Sequence, residues 1–130
     1  MEFSITSIQE AHKLYTGPDF PKLIKEFKSM GMVTNIFNLE TGIVTYINHT
    51  GETLEDTGIK VDFDICESGT FEDAIFALQR NQRGESDFYT FCNEIAKAGV
   101  YKWVSELDEM TCTYFDKTEQ VIIIESIPSV

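Results

Sequence analysis

Apolar residues recur along the chain at two spacings, one typical of helices and one typical of strands. Spacings of three and four positions predict amphipathic helices over 7–15, 19–31, 70–80 and 87–99. Runs rich in β-branched and aromatic residues predict strands over 32–39, 43–48, 59–65, 100–107, 110–115 and 121–126. The clearest of these is 59–65, where apolar and polar side chains alternate strictly.

Residues with cap preferences predict where the helices begin and end. Ser7 and Glu10 have capping-box spacing, so the first helix is expected to begin at Ser7. Gly17-Pro18 is expected to end it. Asp19, Thr70 and Asp87 are the N-cap candidates of the other three helices.

The order of helices and strands repeats within the chain. A shift of 68 positions aligns 19–52 with 87–120 without a gap, and eight of the 34 aligned pairs are identical. In both segments an aspartate caps the helix, an aromatic residue follows, and a glycine (Gly31 or Gly99) ends the helix before a hairpin. The sequence therefore predicts an α+β fold of two helix-helix-strand-strand-strand units, about 5–65 and 70–128. They are expected to form one domain over 1–130, with antiparallel sheets covered by helices on one face.

Charge and apolar run length restrict the possible partners. The formal charge is −12, with 22 acidic and 10 basic side chains, so direct nucleic-acid binding is disfavoured. The acidity is consistent with a basic protein partner or a cation, and also with solubility alone. No apolar run approaches the roughly 20 residues of a membrane-spanning helix. We therefore expect a chain that contacts neither membranes nor nucleic acids directly.

Cysteine spacing and the first residues predict a reducing compartment. Cys66, Cys92 and Cys112 form no CxxC or Cys/His ligand pattern, so neither disulfides nor a structural zinc is expected. Residues 1–15 lack the basic start and apolar stretch of a signal peptide. The expected location is the cytoplasm.

The second half of the chain carries a distinctive set of residues. These are Ala98-Gly99-Val100, Trp103, the run Met110-Thr-Cys-Thr-Tyr-Phe-Asp116, and Glu125, Ile127 and Pro128, with Asp19-Phe20-Pro21 and Gly31 in the first half. From about Ile5 to Pro128 the chain resembles the YdfO-like family of small bacterial and prophage-encoded proteins. The function of that family is unknown, although some members carry the label "phage envelope protein". The resemblance implies a cytoplasmic bacterial single domain and supplies no catalytic residue.

Three aromatic residues and one cysteine are the candidate ligand-binding residues. Tyr46 and Tyr114 occupy matched positions in the two hairpins, and Trp103 lies on the strand before Tyr114. Together with Cys112 they are candidates to line a pocket between the repeats. Aromatic residues on strands more often belong to the core, and Cys112 is more simply a packed thiol than a reactive one.

An acidic stretch is the only candidate metal site, and the pattern favours another interpretation. Asp62, Asp64 and nearby Glu67 offer the oxygen ligands that hard cations prefer. Carboxylates alternating with Val61 and Phe63 are equally what a half-solvated strand requires. We expect no metal and no cofactor.

Three functions remain open at this stage. The first is a binding module that takes a small molecule or a protein between the repeats. The second is an acidic decoy for a basic, nucleic-acid-binding host protein. The third is an enzyme using Cys112 or His49, although no nucleophile-elbow, triad or phosphate-loop pattern is present. An exposed strand edge would also allow a homodimer.

Overall fold

A computed structural model describes residues 2–15 and 19–128. Its helices are α1 (Ile5–Leu14), α2 (Phe20–Ser29), α3 (Phe71–Gln82) and α4 (Phe88–Lys97). Its strands are β1 (Met32–Asn38), β2 (Ile43–Asn48), β3 (Thr53–Thr57), β4 (Lys102–Glu106), β5 (Thr111–Phe115) and β6 (Val121–Ser126). The expected α+β fold is confirmed. The Gly17-Pro18 terminator lies outside the described residues.

All six strands belong to one antiparallel sheet in the order β3-β2-β1-β4-β5-β6. Each half contributes three consecutive strands, and β1 pairs with β4 at the centre. In that central ladder Ile36 lies opposite Val104, and Val104 is the residue 68 positions after Ile36. The two halves are therefore related by an approximate twofold axis through this pair.

Two hydrogen bonds outside the regular ladders also repeat at the offset of 68, as two repeated units predict. Leu39 N donates to Tyr101 O, and its matched residue Leu107 donates to Val33 O. Gly31 and Gly99, which end α2 and α4, both have positive φ angles of 87° and 96°. A helix end that requires a positive φ angle favours glycine, because glycine adopts that conformation without strain. This backbone requirement explains the glycine that follows the helix in both halves of the sequence.

Three helix starts differ from expectation in their side-chain bonds. Helix α1 begins before Ser7, because Ser4 is its N-cap and the Ser4 hydroxyl accepts the Ser7 N–H bond. The capping-box prediction was therefore wrong by one turn. Asp87 caps α4 as expected by accepting from Thr90 N, whereas Asp19 and Thr70 occupy N-cap positions without a side-chain cap bond.

The predicted strand over 59–65 was wrong, and the third strand of the first half is Thr53–Thr57 instead. Gly51, at φ 87°, permits a tight turn after β2, so the chain returns at once along the sheet edge. Segment 59–65 still buries Val61 and Ile65 and exposes Asp62 and Asp64. The alternation therefore predicted burial correctly, but no neighbouring strand pairs with this segment in the described chain.

The helices cover one face of the sheet and enclose the core. Contacts join α1 to β3, α2 to β1 and α3 to β6, while α4 packs on α3. Buried side chains come from both halves, including the matched pair Leu39 and Leu107, and form one cluster. Among residues 2–15 and 19–128, no helix lies on the opposite face of the sheet. Among the described helices, none combines the length and apolar character needed to cross a membrane.

Candidate functional site

The three candidate aromatic residues all face the helical layer, but they do not form one pocket. Tyr46 and Tyr114 are each 4% exposed and Trp103 is 9% exposed. Trp103 and Tyr114 are neighbours on paired strands, with ring centroids 5.8 Å apart. Tyr46 instead packs against Phe27 of α2, at 6.1 Å. The structure therefore brings Trp103 and Tyr114 together and leaves Tyr46 under the other helix pair.

An aromatic cluster joins the two repeats next to Trp103. Phe37 of β1 stacks on Trp103 of β4 with ring centroids 4.6 Å apart, and Phe88 of α4 contacts both rings at 5.4 and 6.2 Å. Phe91 completes the cluster at 5.7 Å from Trp103. We call this region, where Phe88 covers the β1–β4 boundary, the seam.

Phe88 is the accessible member of the seam. Its side chain is 48% exposed, although it rests on two buried rings. Its matched residue Phe20 is also exposed at the first position of α2. An aromatic residue at the first helical position, where the apolar stripe begins, was the sequence signal that could have identified this residue. The contact with Phe37 joins residues from different repeats and had no local signal.

The internal symmetry is broken at the other end of the seam. The residues matched to Trp103 and Phe37 are Asn35 and Ser105, so a polar pair replaces the stacked aromatic pair. Within the described chain Asn35 Oδ1 is buried and accepts no hydrogen bond. The residue as a whole is only partly buried. An unpaired buried acceptor is destabilising by about 1–3 kcal/mol.

Cys112 is a buried thiol that lies beside a partly buried polar network in the second half. Ser105 Oγ donates to Cys112 Sγ at 3.6 Å, and Tyr114 Oη donates to Glu125 Oε1 at 2.9 Å. Gln82 of α3 donates to the other Glu125 oxygen at 3.1 Å. Burial raises the pKa of Glu125 above its usual value, while the two donors partly oppose that shift. Burial raises the pKa of Tyr114 well above its usual value as well.

A related but weaker arrangement lies in the first half. Gln9 of α1 donates to Asp56 Oδ2 at 3.2 Å, and Asp56 is the β3 neighbour of Val44 as Glu125 is the β6 neighbour of Cys112. Burial, with a smaller contribution from the charge of Asp56, raises the pKa of Tyr46 to about 12. Each half thus joins an exposed glutamine of a helix to a carboxylate of its outer strand, beside a buried tyrosine.

The candidate nucleophiles lack the environment that activates them. Burial raises the pKa values of Cys92 and Cys112 to about 12, so both thiols are protonated at neutral pH. His49 is exposed, and its Nδ1 lies 2.8 Å from Asn48 Oδ1. No hydrogen bond joins a histidine to a cysteine in the part of the chain that the structure describes. Within the described residues, no hydrogen bond joins a histidine or a carboxylate directly to either buried thiol.

The acidic segment forms a shallow surface groove. The groove has a volume of about 400 Å³ and is lined by Glu40, Lys60, Val61, Asp62, Phe63, Asp64 and Ile65. At its margin Lys117 pairs with Glu40 at 2.9 Å, and this contact raises the pKa of Lys117. Across residues 2–15 and 19–128, no three His, Cys, Asp or Glu side chains are grouped to hold a metal ion.

Comparison with known proteins identifies relatives and no activity. Proteins described as uncharacterised in Mycobacterium bovis and in two strains of Mycobacterium tuberculosis are each 29% identical to this chain over 127 residues. Each alignment covers 92% of this chain and 77% of the relative. The family described as "Protein of unknown function (DUF1398)" matches residues 9–126. The chain therefore belongs to the DUF1398 family of proteins of unknown function.

Proposed function

We propose that this chain is a small binding module and that its ligand contacts the seam. The observation that carries the proposal is Phe88, an aromatic side chain 48% exposed to solvent that rests on the stacked pair of Phe37 and Trp103. Exposed rings backed by buried rings offer a rigid apolar surface with little side-chain entropy to lose on binding.

The polar end of the seam defines the chemistry of the ligand. Asn35 and Phe37 project from the same face of β1 and lie about 7 Å apart, because alternate strand residues share a face. A ligand with an aromatic ring on Phe88 and an N–H group near Asn35 would use both features, and its bond to Asn35 Oδ1 requires the Asn35 side chain to rotate, because that atom is buried. The charge of −12 favours a neutral or cationic compound over an anion. The proposed ligand class is therefore small aromatic amines and amides.

Catalysis is not part of this proposal. A hydrolytic or transfer enzyme using Cys112 would require a thiolate, and burial opposes its formation. His49 lies beside Asn48 at the β2–β3 turn, with no acidic partner hydrogen-bonded to its ring in the described residues. Binding at the seam requires neither residue.

The test uses Trp103, the single tryptophan of the chain, as a reporter. Wild-type protein is titrated with a panel of aromatic amines and amides while tryptophan emission and thermal melting are recorded. A compound present at about 100 times its dissociation constant should stabilise the fold by roughly 2.7 kcal/mol. Phe88→Ala should weaken binding by about tenfold or more, since one buried aromatic contact is worth at least about 1.4 kcal/mol.

Phe71→Ala is the matched control. Phe71 is the first residue of α3 and is exposed, as Phe88 is the first residue of α4, but α3 lies over β6. F71A should bind as the wild type does. A panel that changes neither emission nor melting, or equal affinity for F88A and wild type, would contradict the proposal.

We include three further expectations from the sequence in this proposal. A YdfO-like relationship, a prophage origin and a cytoplasmic location are supported by the run 110–116 and by the spacing of the three cysteines. Cell fractionation with antibody detection would test the location, and recovery mainly in an exported fraction would contradict it.

A further inference from the structure

We propose that the uncovered face of the sheet is the interface of a homodimer. This face lies on the side of the sheet away from the helices and the seam, so the inference does not depend on the proposed ligand. Antiparallel sheets often expose one face to water, and such faces are then rich in charged side chains. The uncovered face of this sheet instead carries few charged side chains.

The strand register defines the residues of this face, which we call the open face. They are Thr34, Ile36, Asn38, Ile43, Thr45, Ile47, Thr53, Glu55, Thr57, Lys102, Val104, Glu106, Thr111, Thr113, Phe115, Val121, Ile124 and Ser126. None of them is buried in the monomer. Seven are aliphatic or aromatic, and only Glu55, Lys102 and Glu106 carry charge.

Charge distribution distinguishes the open face from the rest of the surface. Its three charged residues sum to −1, and Lys102 is paired at 3.0 Å with Glu119 beside this face, whereas the chain carries −12. Two copies therefore repel one another in most orientations, and repulsion is weakest when their open faces meet. A charge-depleted patch within a strongly charged surface is the pattern that protein interfaces show at their centres.

Apolar side chains on the open face follow the internal twofold axis. Ile36 and Val104 lie at the axis, and Ile47 and Phe115 flank them at matched positions. These four form a diagonal band across the centre of the sheet. Ile124, which is 63% exposed, extends the apolar surface toward the edge.

The symmetry of this apolar band favours a second copy of this chain as the binding partner. A C2 interface uses the same patch on both subunits, and a face that already has approximate twofold symmetry presents equivalent surfaces in either direction. Lys102 and Glu106 lie at opposite ends of β4. When the β4 strands of two copies run antiparallel across the interface, Lys102 of each copy, which also pairs with Glu119 of its own chain, lies opposite Glu106 of the other.

The area is sufficient for a dimer. Six strands at about 4.8 Å spacing and about 17 Å of strand length give a footprint on the order of 500 Å² per copy. The pair would then bury on the order of 1,000 Å², which reaches the threshold for a specific interface. Two sheets packed in this way would lie about 10 Å apart with their strands inclined by about 30°.

Sedimentation velocity of the wild type and three lysine variants tests the interface. Val104→Lys and Ile124→Lys place charges at the centre and margin of the open face. Phe76→Lys is the control, because Phe76 is 61% exposed on α3, on the other side of the sheet. Wild type and F76K should sediment as dimers at about 100 µM, and V104K and I124K should raise the dimer dissociation constant at least tenfold.

Circular dichroism and tryptophan emission establish that each variant is folded. If V104K does not fold, the exposed position of Ile124 makes I124K the deciding variant. A wild type that remains monomeric at about 100 µM would overturn the proposal. So would a dimer that both folded variants retain, since a dimer held by backbone pairing at the β3 or β6 edge would not respond to a charge at Val104.

Discussion

Matched residues in the two halves differ in how their polar groups are satisfied. Tyr114 donates to the carboxylate of Glu125 at 2.9 Å. Tyr46 is equally buried, but its hydroxyl forms no hydrogen bond to another side chain among the described residues. Replacing each tyrosine by phenylalanine removes one hydroxyl oxygen in both cases. The two variants therefore compare the loss of a hydroxyl that has a charged partner with the loss of one that has none.

Tyr114→Phe is expected to destabilise the fold more than Tyr46→Phe. A hydrogen bond to a charged group contributes about 1.5–3 kcal/mol, so Y114F should lower the free energy of unfolding by about 2 kcal/mol at pH 7. Y46F should lower it by less than about 1 kcal/mol. Urea unfolding followed by circular dichroism measures both values. Equal losses would show that the Tyr114–Glu125 contact contributes nothing.

The effect of Tyr114→Phe should also depend on pH. Burial raises the pKa of Glu125 in the folded state. A raised carboxyl pKa contributes stability that is present below the unfolded value of 4.5 and is lost as pH rises through the folded value. Above that pH the half-buried carboxylate depends on its donors. The penalty of Y114F should therefore be larger at pH 7 than at pH 4, and a constant penalty would contradict this account.

At the scale of elements, the two aspartates before α2 and α4 form a matched comparison of helix caps. Asp87 accepts from Thr90 N at 2.7 Å, and this bond lowers the pKa of Asp87. Asp19 lacks the cap bond and instead lies 3.8 Å from Lys22, in an exposed ion pair of little energetic value.

Asp87→Ala is expected to lower the melting temperature more than Asp19→Ala, because only the former removes a partner from a helix N–H group. The contribution of Asp87 is present above the ordinary aspartate pKa of 3.8 and is lost as pH falls through the lowered folded value. Differential scanning calorimetry at pH 7 and pH 3 measures the difference. If D19A were as damaging as D87A, the cap bond would not be the cause.

Most elements could be predicted from the sequence because their signals are local. Helix α4 and strands β5 and β6 follow from apolar periodicity and caps within a few residues. Strand β3 was missed because Thr53–Thr57 is a polar edge strand with a single apolar residue, Leu54. Its pairing with β2 results from the turn at Gly51 rather than from its own composition.

The seam could be predicted only in part, because it depends on pairing between the halves. Trp103 and Tyr114 were recognisable as neighbours within one hairpin. The stacking of Phe37 on Trp103 and the unpaired oxygen of Asn35 follow from the β1–β4 register, for which neither strand carries a local signal. The apolar periodicity of a strand shows which of its side chains face the core, but it does not show the register in which the strand pairs with a distant strand.

At the scale of the whole molecule, both repeats share one sheet and one core. Phe37 from the first half and Phe88, Phe91 and Trp103 from the second form a single cluster. Neither half encloses these rings by itself. Pairing of β1 with β4 is therefore the interaction that stabilises the two halves against each other, and Trp103 lies in this ladder.

That central ladder has a consequence for the order of folding events. Every other strand pair joins neighbours in sequence, whereas β1 and β4 bring together residues such as Thr34 and Glu106, 72 positions apart. Closing so long a loop costs more entropy than closing a hairpin, so the two three-stranded units should form before they dock. In stopped-flow refolding, the far-ultraviolet dichroism signal should therefore recover before the emission of Trp103. A single shared rate for both signals would mean that the halves form only together.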